Sequence, residues 1–190
     1  MNGYLLLLDD VNGMDQQSEA LLLKATRHFD TEFAVYRPLP FTDHTGLTET
    51  VEEEIEFVIG CQQSEGGAHC DTAAFIKEWG FSDLRHKRVV ELSGGWRKFL
   101  GVALFTNRRT GAKLFMDVTS HLADERLRLL LDRLNRNQEQ CVVFCEYDSL
   151  LLSGVSEGFR LLYDAGDRIE AIEKLPKPLH RNTQANYEQP

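Results

Sequence analysis

The stretch Glu91-Leu92-Ser93-Gly94-Gly95-Trp96-Arg97-Lys98 is the one from which the rest of the chain can be read. Serine is favoured just before a helix, and a helix is predicted from about Ser93 to Asn107. Two glycines at its start leave the backbone bare of Cβ atoms. About two dozen residues later comes Lys113-Leu114-Phe115-Met116-Asp117, an apolar strand ending in an acid. Thr119-Ser120-His121-Leu122 makes a turn. Asp124 to Asn137 is predicted to be an amphipathic helix, because Leu127, Leu130, Leu131 and Leu134 recur at i, i+3, i+4 and i+7 and form a core-facing stripe. Cys141 to Cys145 is a short apolar strand followed by Glu146-Tyr147-Asp148.

The residues upstream follow the same alternation. Tyr4 and Leu5 to Leu8 form an apolar run of the kind buried on both faces of a parallel sheet. Asn12-Gly13 marks a turn, and Ser18 to His28 reads as a helix with Glu19 in its first turn. A second strand, Phe33 to Tyr36, is broken by Arg37-Pro38-Leu39-Pro40, and a loop follows to about Thr48. Val51 to Ile59 is a helix whose start carries a capping box, Thr50 with Glu53 three residues on. The run Glu52-Glu53-Glu54 is expected to be a solvated first turn. Asp71 to Trp79 is a further helix stopped by Gly80, and Phe159 to Tyr163 another strand. Strands alternating with helices imply an α/β domain around a mostly parallel sheet. The polar tail from Lys174 carries three of the five prolines and is expected to be an irregular extension.

Composition narrows the function classes. The chain has 190 residues, 42% hydrophobic and 27% charged, which suits one globular domain. Its formal net charge of -9, with a pI near 5.2, argues against direct binding to nucleic acid or an anionic membrane. No run approaches the ~18 apolar residues of a membrane helix. The start lacks the basic region of a signal peptide, so a cytoplasmic location is expected. Cys141 and Cys145 lie about 13 Å apart on one strand face, too far for a disulfide. Cys61, His69 and Cys70 lack the spacing of a metal site, and no metal is expected. His69 and His121 read as ordinary turn or surface histidines.

Leu92-Ser93-Gly94-Gly95, the following helix, and then a strand ending in Asp117 resemble in order and spacing the nucleotide-binding domain of ABC-type ATPases. Thr50-Val51-Glu52-Glu53-Glu54-Ile55 resembles the segment after the Q-loop in ATPases of the energy-coupling-factor and cobalt-type importers. The resemblance spans roughly residues 4–172. It implies a three-layer, P-loop NTPase-like fold with a mostly parallel sheet and a helical subdomain over about 50–107. It would make residues 1–173 the domain and 174–190 the tail. The antiparallel strands that usually open the family's domain, with their adenine-stacking aromatic, have no counterpart here unless Tyr4 is recruited.

The departures from the family carry equal weight. Asn12-Gly13-Met14-Asp15-Gln16-Gln17-Ser18 stands where the resemblance puts the P-loop. Asp15 then replaces a glycine and Gln16 the lysine that holds phosphate. A neutral amide forfeits a charge-assisted contact worth about 1.5–3 kcal/mol, and Asp15 sets a negative charge where polyphosphate should lie. Asp117 retains the Walker B carboxylate, but the catalytic glutamate's place is taken by Val118, which can neither orient nor deprotonate water. The switch histidine aligns with Tyr147, the D-loop aspartate with Ala123 beside Asp124, and the Q-loop glutamine with Arg37.

The surviving motif is the signature. In ABC dimers LSGG closes over nucleotide held by the partner, so the resemblance implies a pseudo-ATPase that binds no nucleotide in cis. Leu92, Ser93, Gly94 and Gly95 would contact ATP and Mg²⁺ held at the interface with an active ABC ATPase subunit. A membrane permease is a further expected partner. The alternative is an inactive regulatory or scaffold protein, homodimeric and without a nucleotide role. A third reading is an enzyme that binds ATP in a repurposed manner. The local alternatives are that Ser93-Gly94-Gly95 is only a helix start, that Asp117 only caps the next turn, and that Tyr147 only packs. Trp96 either stacks at an interface or covers the helix start.

Overall fold

The computed structural model describes residues 2–7, 24–36, 44–64, 70–108, 112–116, 118, 122–136, 141–146, 157–163 and 169–174. Six strands form one sheet: β1 (Asn2–Leu7), β2 (Ala34–Tyr36), β3 (Ala112–Met116), β4 (Cys141–Glu146), β5 (Glu157–Tyr163) and β6 (Ile169–Lys174). Their spatial order is β2-β3-β4-β1-β5-β6. All pairs are parallel except β5–β6, which is antiparallel. The predicted mostly parallel sheet is therefore present. Register aligns Leu7 with Glu146 and Met116 with Cys145, so β1, β3 and β4 end along one edge of the sheet. In open α/β sheets ligands bind beyond that carboxyl edge.

The central strands are apolar because both their faces are covered. Every residue of β3 is buried, and so are Val142 to Cys145 of β4. One face, with Phe115, Val142 and Phe144, joins the main hydrophobic core, and Phe115 stacks on Phe144 with ring centroids 5.2 Å apart. The other carries Leu114 and Val143, also buried.

Four helices feed the same core: α1 (Val51–Ser64), α2 (Thr72–Glu78), α3 (Gly94–Asn107) and α4 (Asp124–Arg136). Residues 24–29 are also helical, the described part of the helix predicted from Ser18. Residues 18–23, Arg37 and His69 lie outside the described residues. In α4, Leu127, Leu130 and Leu134 are buried and Leu131 packs against them, as their spacing predicted. The α1 cap is the predicted box: Thr50 Oγ1 accepts from Glu53 N at 3.3 Å, and Glu53 Oε2 accepts from Thr50 N at 3.0 Å. The Thr50 amide foremost, and the Glu49 amide, which donates to the same Oε2 at 3.0 Å, hold the Glu53 carboxyl below its ordinary range.

Gly80 ends α2 as expected. It adopts φ 74°, and the pair Gly80 N to Lys77 O (3.3 Å) and Phe81 N to Ile76 O (2.8 Å) closes a Schellman motif.

Three expectations are corrected. Helix α1 runs past Ile59 to Ser64, because Gln62 is anchored by donating to Leu104 O at 3.0 Å and accepting from Asn107 Nδ2 at 3.2 Å. Lys174 closes β6 rather than opening a tail, since it pairs with Phe159 in the antiparallel β5–β6 ladder. Residues 175–190 lie outside the described residues. The acidic first turn of α1 is not simply solvated. Glu54 is only 1% exposed and accepts from Thr45 N (2.6 Å), Thr45 Oγ1 (2.7 Å) and Thr48 Oγ1 (2.5 Å). Glu52 makes a two-pronged ion pair with Arg85, Nε at 3.1 Å, with His86 Nδ1 at 3.6 Å.

Candidate functional site

The stretch Leu92 to Gly95 sits at the junction of two backbone supports. The segment before it pairs with the entry to α1. Val89 N donates to Glu49 O, Val51 N to Lys87 O and Glu52 N to Arg85 O, each at 3.0 Å. A 3₁₀ turn, Val89–Glu91, then delivers Leu92 into the hydrophobic core. With Leu92 anchored inside, Ser93 comes to the surface at the N-cap of α3, with Gly94 exposed and Gly95 partly so.

The details of that helix start bear on its chemistry. The first amide to close a helical bond is Arg97 N, which donates to Ser93 O at 3.0 Å. The amides of Gly94, Gly95 and Trp96 precede it and have no partner within the helix. The Ser93 hydroxyl makes no capping bond to them, although capping was the simplest local account of this serine. A Cβ built on Gly94 meets nothing within 4 Å, and Gly94 does not have positive φ. Neither the fold's space nor its backbone angles demand glycine there. What remains is an exposed, uncapped helix N-terminus with a hydroxyl and bare amides, the arrangement that accepts an anion.

Trp96 belongs to the interior side of this turn. Its ring lies 5.6 Å from Phe81 and 5.9 Å from Phe99, within an aromatic group that includes Trp79, 5.7 Å from Phe99. The Arg126 guanidinium covers it, Cζ 4.3 Å from the ring centroid. Of the two expectations for Trp96, covering the helix start is the one its contacts match. Arg126 was not singled out from the sequence, because nothing in the spacing of Trp96 and Arg126 reveals that α3 and α4 meet.

Of the remaining site candidates, Val118 is buried in the core together with Leu122, so the residue after Asp117 serves packing. Ala123 is exposed and supports the start of α4, its carbonyl accepting from Arg126 N at 3.0 Å and Leu127 N at 3.1 Å. Asn12, Gly13, Asp15, Gln16, Gln17, Ser18, Asp117, His121 and Tyr147 lie outside the described residues. What the fold does place is their attachment: β1, β3 and β4 end side by side at Leu7, Met116 and Glu146. Among the described residues no group of three His, Cys, Asp or Glu side chains could hold a metal ion. Among them, too, no helix is long and apolar enough to cross a membrane.

No protein-family model matches the chain, and no curated protein matches it in sequence. Solved structures do match in fold. An ATP-binding subunit of an ABC transporter superposes with a TM-score of 0.61 at 11% identity, covering 90% of this chain and 78% of that one. The RNase-L inhibitor gives 0.59 at 18% identity, covering 91% of this chain and 34% of its own length. The archaeal ribosome recycling factor aABCE1, solved with the ribosomal stalk protein aP1, gives 0.57 at 17% identity over 92% and 34%. The chain thus spans about a third of those two proteins. Together with the parallel sheet and helical elements described above, these likenesses establish that the chain has the P-loop NTPase-like α/β fold of ABC ATPase domains.

Proposed function

We propose that this chain is a catalytically degenerate ABC ATPase-like subunit that supplies its signature turn in trans to an active ABC ATPase, in a membrane transporter. The observation that carries the reading is the turn itself. Ser93 is exposed with its hydroxyl uncommitted to a cap, and Gly94 is a glycine that the chain's own packing does not require. Both features are costly or idle within this chain and useful to a phosphate brought by another. Asp15 and Gln16 stand where a P-loop would need glycine and lysine, and Val118 where catalysis would need an acid. ATP and Mg²⁺ then belong to the partner's side of the interface, with Leu92 as the buried anchor of the turn.

Two measurements test this. Calorimetry of the purified chain with Mg-ATP should show no binding tighter than about millimolar; tight binding would overturn the proposal. Reconstitution with an intact ABC ATPase that co-purifies with the chain should give ATP hydrolysis that falls in Ser93→Arg and Gly94→Asp. If neither substitution changes the partner's hydrolysis, the chain is a scaffold or regulatory module, as a homodimer or otherwise.

A further inference from the structure

The signature turn has a mechanical weakness that the fold offsets at one place. Gly94 and Gly95 at the first two helical positions carry the least restricted backbones of any residue, and Ser93 adds no capping bond. Left alone, this would be the loosest part of α3. Trp96 is the next residue, and it is held on three sides. Phe81 lies on it from the loop before, Phe99 from the next turn of α3, and Arg126 from the first turn of α4. The first two contacts are apolar and join Trp96 to its own neighbourhood. The third reaches to another element and is directional, because a guanidinium over an indole face is drawn to the ring's negative quadrupole. Arg126 stands in the first turn of α4, its N donating to Ala123 O at 3.0 Å.

We propose that Arg126 is a positioning residue for the signature turn. Through Trp96 it fixes where the Ser93, Gly94 and Gly95 groups stand relative to α4, so the turn meets a partner-bound nucleotide already set. The inference rests on the trans reading for its consequence, whereas the clasp itself can be measured without a partner.

The test is hydrogen exchange on the full chain, read at the amides of residues 97–99, the first of α3 to bond within the helix, beside urea denaturation of the same samples. Arg126→Gln should speed exchange at these amides about fivefold, the scale of a lost cation–π contact, and leave exchange in α2 and β4 unchanged. Trp96→Phe, which keeps the packing on Phe81 and Phe99 but weakens the cation–π attraction, should give a smaller local increase. Arg126→Lys should restore most of the protection. A merely structural role would raise exchange throughout in proportion to lost global stability, and that result would overturn the proposal, as would unchanged exchange in Arg126→Gln. With the partner present, Arg126→Gln should lower stimulated hydrolysis and Arg126→Lys recover it. If Ser93→Arg abolishes stimulation while Arg126→Gln leaves it intact, the positioning role is overturned and the trans reading stands. If Ser93→Arg changes nothing, the trans reading falls and exchange alone decides the clasp.

Discussion

Gly94 concentrates the functional question into one atom that is missing. A side chain there would sit in open space at the first position of α3. An acid at a helix N-terminus favours the dipole, and any residue with a Cβ loses less backbone entropy than glycine. Gly94→Asp is therefore expected to raise the stability of the isolated chain by about 0.5–1 kcal/mol, measured by urea unfolding, while it abolishes trans activity. A fall in stability would show that the glycine serves the fold after all. Lys113 poses the reverse case, a charged residue in the middle of an apolar strand with 0% exposure. Burial lowers its pKa from 10.5 to about 8. The unfolded chain then holds more protons than the folded one between those values, so this group's contribution to stability rises with pH across that window. Below pH 8 the full cost of the buried ammonium is present. Lys113→Met is expected to remove the rise in stability between pH 8 and 10.5 that this group contributes, read by urea unfolding across that range beside the parent chain. An unchanged pH profile in Lys113→Met would remove the buried amine as its cause. The apolar character of this strand was legible in the residues around Lys113. That the lysine itself is enclosed was not, because alternation puts Lys113 on the face of Phe115 without recording how far along the strand the helices cover that face.

At the scale of elements, α1 shows where local pattern sufficed and where it failed. Its start was legible, since a capping box is a contact among residues three apart and Thr50 and Glu53 make it whatever the rest of the chain does. Glu54, the next residue, was not legible. It looks like another dipole-favoured surface acid, yet it reaches back to Thr45 and Thr48 and holds the preceding segment against the helix. Those partners are uncharged, so nothing in charge pattern announces them. Glu54→Ala removes the acceptor for one amide and two hydroxyls and is expected to cost about 2–3 kcal/mol, read by urea or thermal unfolding. Glu53→Ala, on the exposed face, should cost clearly less than Glu54→Ala. Equal effects at the two positions would contradict the buried role given to Glu54. The end of α1 depended on distant residues as well. The helix was expected to run only to Ile59, but Gln62 finds Leu104 and Asn107 on α3, and the helix continues to Ser64.

For the whole molecule, the sheet order β2-β3-β4-β1-β5-β6 sets the ends of β1, β3 and β4 together. The first loop, the acid Asp117 and Tyr147 therefore extend from strands that end along one edge, although they are far apart in sequence. On the proposed reading, the net charge of -9 would add to the obstacle that Asp15 sets against polyphosphate. If the proposed loss of nucleotide binding rests on the loop chemistry, calorimetry of the isolated chain with Mg-ATP should stay free of binding as ionic strength is raised. Binding that emerges in calorimetry at high salt would assign the obstacle to long-range repulsion. The sequence by itself determined the alternation of strands and helices, the capping box, the glycine stop at Gly80 and the motif order from Leu92 to Asp117, because each depends on residues near one another in the chain. Only the tertiary structure decided that Leu92 is the buried anchor and Ser93 the exposed end of the turn, that Arg126 clasps Trp96, and that Glu54 and Lys113 are enclosed. Those facts depend on which helix packs on which sheet face. That is settled by the burial of many apolar side chains at once, and no short stretch of residues records it.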